Sequence, residues 1–218
     1  MKTKDLPEAL RRLRQSFEES DAPIIELIEA QTKDPFKVLL GTILSARTKD
    51  EVTAKAVKKL FSFVTTPDDL ERIPLPTLEK LIYPVGFYKT KARHLHRLPA
   101  VLRERFQGKL PSTIEELVQL PGVGRKTANL VVAVGFHKPA ICVDTHVHRI
   151  TNRWGYVTTT TPLETEMALR KKLPLPYWMT FNTYLVSFGQ RICTPISPHC
   201  STCSLTSFCK RKGVRSSR

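Results

Sequence analysis

Leu120 to Asn129 reads LPGVGRKTAN. Apolar residues recur at helical spacing on both sides, so Ser112–Gln119 and Arg125–Val134 are expected as two helices with Pro121-Gly122-Val123-Gly124 as the turn between them. The glycines permit positive φ and leave the turn without side chains. Backbone N–H groups at the start of the second helix would then face outward and could hold a phosphate. That is a helix-hairpin-helix, a clamp that grips a nucleic-acid backbone without reading its sequence. An ordinary αα-turn with a glycine cap is the competing reading, and it does not explain Lys126. A cation at the positive end of a helix dipole weakens its own helix. Lys126 is either one more phosphate contact or a nucleophile, whose ammonium form is disfavoured beside a helix start and other cations.

Asp144, in Val143-Asp144-Thr145-His146, follows Lys126 by 18 residues. One helix and a return loop span that distance, so the two side chains could meet. Asp144 suits a helix cap ahead of Val147 and Ile150. It also suits stabilisation of a positive sugar and removal of a proton from Lys126. The two roles are compatible.

Charge agrees with a polyanionic partner. The 218-residue chain has 35 Lys+Arg against 20 Asp+Glu, a net +15, with 41% hydrophobic residues. Nucleic acid is favoured over an anionic membrane surface, and a soluble protein that is merely basic is the competing reading of the composition. The N-terminal stretch MKTKDLPEALRRLRQSFEES lacks an apolar signal core, and no apolar run approaches the ~18 residues of a membrane span. An intracellular protein is expected, in the cytoplasm or nucleoid and without a membrane partner.

Helix starts recur as a capping residue before proline or an acid: Asp34-Pro35, Thr66-Pro67-Asp68-Asp69, Ser112-Thr113-Ile114-Glu115 and Thr161-Pro162-Leu163-Glu164. The last two read as capping boxes. With no alternating runs, the expectation is an all-α protein of about ten short helices. Residues 210–218, KRKGVRSSR, lack an apolar anchor and are expected to form a basic disordered tail.

Cys193, Cys200, Cys203 and Cys209 form C-x6-C-x2-C-x5-C. In a reducing compartment a metal site is favoured over disulfides. Zinc sites usually pair two short knuckles, and only one exists here. The spacing therefore leans modestly towards an iron–sulfur cluster over zinc. Cys142, in an apolar stretch, reads as a core thiol.

On Leu120–Asn129, Val143–His146 and the cysteine loop, in this order, the chain resembles the endonuclease III family of helix-hairpin-helix DNA glycosylases over roughly Asp34 to Cys209. The resemblance implies two α-helical domains with a DNA groove between them: a helical barrel over 28–137, and a cluster domain of 1–27 plus 138–209. It places Lys126 on the family's Schiff-base lysine, Asp144 on its catalytic aspartate, and the four cysteines on the ligands of a [4Fe–4S] cluster. The candidate DNA contacts are Arg47, Phe87, Gly122, Val123, Gly124, Arg125 and His146. The implied activity is a bifunctional DNA glycosylase/AP lyase, a monomer acting on double-stranded DNA with damaged pyrimidines or abasic sites. A monofunctional adenine or thymine mismatch glycosylase and a catalytically silent DNA-binding iron–sulfur protein are the alternatives. The first typically lacks a lysine at the position of Lys126.

Three departures stand out. Arg47 stands where bacterial relatives typically carry a gap-filling glutamine, and Phe87 where they carry a leucine wedge. An arginine could hydrogen-bond the orphaned base and an aromatic could stack into the duplex. A solvated Arg47 and a core Phe87 are the plainer readings. Residues 194–199, TPISPH, lack Lys and Arg where the family's loop is commonly basic. Their phosphate contacts are either absent or moved to Lys210, Arg211 and Lys212.

Overall fold

The computed structural model describes residues 1–16 and 23–218. Twelve α-helices and no strand lie among the described residues, as the all-α expectation required. The chain divides into two compact units, Ile24–Lys138 on one hand and Met1–Pro23 with Pro139–Arg218 on the other. Residues 17–22, which the cluster-domain expectation included, lie outside the described residues. None of the described helices is long and apolar enough to cross a membrane.

The first unit holds α2 (Ile24–Thr32), α3 (Pro35–Ser45), α4 (Asp50–Phe61), α5 (Pro67–Arg72), α6 (Leu75–Ile82), α7 (Tyr88–Phe106), α8 (Ile114–Leu117) and α9 (Arg125–Leu130). Its centre is α3. Asp34 starts that helix by accepting from the Phe36 amide at 2.9 Å, with Pro35 preset for the first position. Phe36, Val38, Leu39, Leu40, Ile43 and Leu44 are all buried, each contributing about 1.5–3 kcal/mol. The apolar faces of α2, α4 and α7 pack around it. The expected division at residue 27 lies within α2, which packs along α3.

Two helices flanking the hairpin differ from expectation. The start near Ser112 moves one residue: Thr113 is the cap, accepting from Glu116 N at 3.3 Å and donating to the Glu116 carboxylate at 2.6 Å. The partner acid is therefore Glu116, not Glu115, and the helix lasts only to Leu117. The second helix runs as α9 and then widens into a π-helical turn over Val131–Gly135, where Phe136 N reaches back to Val131 O. Six residues are too few to hold a helix alone. Buried Thr127, Ala128 and Leu130 anchor α9 to the core.

The second unit holds α1 (Leu6–Gln15), α10 (Thr145–Arg153), α11 (Pro162–Lys172) and α12 (Trp178–Arg191), followed by the cysteine loop. Leu6, Leu10, Leu13, Val147, Ile150, Trp154, Phe181, Leu185 and Leu205 make its core. Trp154 meets Phe181 edge-on, ring centroids 6.5 Å apart, as aromatic quadrupoles prefer. Thr161 caps α11 as expected, and Glu164 accepts in return from Thr160 N. The tail departs from the expected disorder. Lys212 N donates to Arg153 O at 3.0 Å, and Arg218 N to Pro198 O at 2.8 Å, so backbone bonds tie the tail to the end of α10 and to the cysteine loop.

Candidate nucleic-acid interface and metal centre

The hairpin turn is built around Gly122. Its φ is +76°, and a Cβ there would stand 2.6 Å from Nδ1 of His94, so neither conformation nor space admits a side chain. Val123 points inward and is buried, and its amide donates to Leu120 O at 3.2 Å. Of the candidate contact residues, Val123 thus offers backbone only. Gly124 is the N-cap of α9, with its carbonyl accepting from Ala128 N at 2.9 Å. Gly122, Gly124 and Lys126 are exposed and Arg125 is half-buried, whereas Thr127 to Leu130 turn into the core. The lysine is therefore displayed on the first turn of the helix, outside the apolar packing that fixes it. His94 stands behind the turn. Burial, with Arg93 and Arg97 nearby, pushes its pKa below the usual imidazole value.

Asp144 lies in the other unit and does cap its helix. Its Oδ1 accepts from Val147 N at 2.8 Å. His146 is half-buried, with Nδ1 3.0 Å from Nη2 of Arg149, so part of its ring is engaged within its own unit.

Arg47 and Phe87 share one face of the first unit. Both are non-glycine residues in the left-handed region, at φ +55° and +58°. That costs of order 1 kcal/mol each and is rare for side chains of this size. The Arg47 guanidinium sits 5.6 Å from the Phe87 ring centroid, within cation–π range. Phe87 is 64% exposed, which excludes the core reading.

The four cysteines line one pocket, together with Arg153, Trp154, Pro198 and His199. Three donors address their sulfurs: Leu205 N to Cys203 at 3.4 Å, Arg211 N to Cys209 at 3.4 Å, and Arg153 Nη1 to Cys193 at 3.4 Å. Burial pushes the Cys203 and Cys209 thiols up, against the pull of those amides. Among the described residues, no three His, Cys, Asp or Glu side chains gather as they would around a single ion. Two arginines of α10 hold the loop's entrance. Arg153 donates to Thr194 O at 2.7 Å and Pro195 O at 2.6 Å, and Arg149 to Cys193 O at 2.8 Å. From α1, Arg12 donates to Ser204 O and covers the Phe208 ring at 4.9 Å. Sequence reasoning passed over Arg149 and Arg153. Their signal was a pair of cations four residues apart on a helix whose other face is core. Lys210 and Lys212 are exposed, with the Lys210 methylenes lying against Gly155 and Lys212 Nζ 3.3 Å from Thr158 Oγ1.

The sequence profile described as HhH-GPD superfamily base excision DNA repair protein matches residues 40–175. An endonuclease III of Thermotoga maritima is 51% identical over 177 residues, 81% of this chain and 83% of the relative. The chain belongs to the endonuclease III family. Two solved structures are similar over nearly the whole length of the chain. One is a non-covalent endonuclease III–DNA complex, TM-score 0.85 at 36% identity, covering 97% of this chain and 96% of that one. The other is a trapped endonuclease III–DNA covalent intermediate, TM-score 0.84 at 34% identity, covering 97% of each. This endonuclease III relative is accordingly a base-excision repair enzyme, a DNA glycosylase and AP lyase that binds DNA.

Proposed function

We propose that Lys126 is the nucleophile, and that the substrate is duplex DNA carrying a damaged pyrimidine or an abasic site. The observation that carries this is the placement of exposed Lys126 on the first turn of α9, directly after a turn whose Gly122 excludes any side chain. A trapped DNA adduct of a structural relative supports the same reading.

The base must leave the stack before C1′ is accessible. The Lys126 amine attacks C1′. The glycosidic C–N bond breaks, and the base departs with the electron pair and takes up a proton. The sugar ring opens as the amine nitrogen gives up its proton, leaving an imine. That imine acidifies the C2′ proton, whose loss expels the 3′ phosphate oxygen and cuts the strand. Asp144 stabilises the positive sugar, and its cap bond to Val147 N fixes the carboxylate for that task. The backbones of Gly122, Val123 and Gly124, with Arg125, grip phosphates beside the lesion. Arg47 and Phe87 fill the gap left by the flipped nucleotide, and His146 completes the contact set.

Cys193, Cys200, Cys203 and Cys209 would hold a [4Fe–4S] cluster. The fit rests on four thiols lining one pocket, with three N–H donors aimed at sulfur. Bound there, the cluster supplies a covalent cross-link of the loop. Ile24–Lys138 serves as the barrel domain and the remainder as the cluster domain. The enzyme works as a monomer on chromosomal DNA in the cytoplasm or nucleoid.

A panel of lesion-containing duplexes, scored for nicking with and without alkali, tests the reading. Nicking without alkali at damaged pyrimidines is expected. Base loss that needs alkali to reveal a nick would point to a monofunctional glycosylase, and no base loss on any lesion would point to a silent binder. Metal analysis should return about four irons per chain; one zinc and no iron would overturn the cluster.

A further inference from the structure

We propose that Lys91 is a positioning residue that locks Arg47 and Phe87 into one rigid gap-filling unit. The inference rests on the reading that those two side chains enter the duplex. Lys91 lies one turn into α7, the helix that Phe87 caps, and its amide donates to Phe87 O at 3.0 Å. Its side chain runs back under the α3–α4 loop and is only 7% exposed. There Nζ meets three oxygens: Leu44 O at 2.8 Å, Ala46 O at 2.6 Å and Thr48 Oγ1 at 3.3 Å. An ammonium has three protons, so each finds one acceptor. The Leu44 and Ala46 carbonyls lie at the C-terminal end of α3, where a cation also meets the negative end of the helix dipole.

These acceptors bracket Arg47. On the far side, the Thr48 hydroxyl accepts from Gly86 N at 3.1 Å, and a Cβ on Gly86 would stand 2.6 Å from Arg47 O. Gly86 thus lets the α6–α7 loop press directly on the backbone of Arg47. The chain of contacts runs from Lys91 through Thr48 to Gly86 and so to Phe87, closing on the Arg47–Phe87 stack at 5.6 Å. Both residues are held at positive φ, a conformation that persists only where the surroundings impose it. The ammonium is the group that imposes it on the α3–α4 side. Burial among neutral oxygens pulls its pKa to about 8, a cost that an exposed surface lysine would not carry. Lysine is suited to the place because its compact head can serve three converging oxygens, whereas a planar guanidinium cannot.

Lys91→Met removes the three bonds while keeping length and apolar volume, and Lys91→Gln is the alternative if the methionine variant does not fold. Amide hydrogen exchange over residues 45–49 and 84–88 should quicken, with the rest of the molecule unchanged. Release of a paired damaged base should fall about tenfold while nicking at a preformed abasic site stays within about twofold, because only the first reaction needs the stack opened. Added to Phe87→Ala, Lys91→Met should cost much less than it does alone, since only Arg47 is then left for it to position. Unchanged exchange in the two loops, or a double variant whose loss is the product of the single losses, overturns the inference. Phe87→Ala lowering both reactions equally would instead overturn the gap-filling reading, and Lys91's part in it with that.

Discussion

Arg153→Met is the sharpest test of how the cysteine loop is held. Arg153 is 9% exposed, and its guanidinium donates to Thr194 O, Pro195 O and the Cys193 sulfur. Each carbonyl bond is charge-assisted and worth about 1.5–3 kcal/mol, and its loss leaves an acceptor near the core without its donor. Against that stands the cost of taking a guanidinium out of water, which methionine does not bear. The balance is a loss of about 3 kcal/mol, or a fall of about 10 °C in the melting of the 218-residue chain. Arg153→Lys keeps the charge but not the fork, and should lose about half as much. Thermal unfolding followed by circular dichroism gives the stability. Visible absorbance and iron content, measured on the same samples, should fall with it because Cys193 loses both its loop anchor and its N–H donor. A methionine variant that melts within about 2 °C of the parent and keeps its full iron would refute the idea that this side chain holds the loop.

Three further outcomes follow from the site. Asp144→Asn should keep the α10 cap, since asparagine caps as well as aspartate, and so melt like the parent while base release slows; Asp144→Ala should also lose about 1 kcal/mol, and melting curves beside single-turnover rates separate the two. Gly122→Ala meets both a φ of +76° and His94 at 2.6 Å, so it should cost about 1–2 kcal/mol and weaken binding to undamaged duplex, read by melting and fluorescence anisotropy. If the clamp and the basic surface contact about five phosphates, log K against log salt should slope near −4.5; a flat response would separate the basic surface from the DNA surface.

What the sequence disclosed was mostly local. Asp34, Thr66 and Thr161 announce their helices because a cap is written within four residues, and the hairpin is legible because its glycines and proline lie in one short run. The cysteine loop was legible for the same reason: all four thiols fall within 17 residues. The start of α8 was misread by one residue because Ser112 and Thr113 both suit a cap, and only the carboxylate of Glu116 decides between them. The tail was misjudged because composition reports apolar anchors but not the backbone bonds that Lys212 and Arg218 make with Arg153 and Pro198. Lys91, Arg149 and Arg153 were passed over for a related reason. Each reads as an ordinary surface cation until distant carbonyls, 40 or more residues away in the chain, are brought to it. Phe87 was open between core and surface because an aromatic beside glycine suits either, and its positive φ is invisible in the sequence.

The central claim is that Lys126 forms the covalent bond to the sugar, and reductive trapping tests it most directly. Borohydride added during reaction with an abasic duplex should convert the imine into a stable protein–DNA adduct, with peptide mapping placing the adduct on Lys126. Lys126→Arg should bind the same duplex but form no adduct at that site and lose strand cleavage by orders of magnitude, because a guanidinium stays protonated. An arginine variant that nicks abasic DNA at near the parental rate, or a parent protein that cannot be trapped, would make Lys126 a phosphate contact and contradict the account.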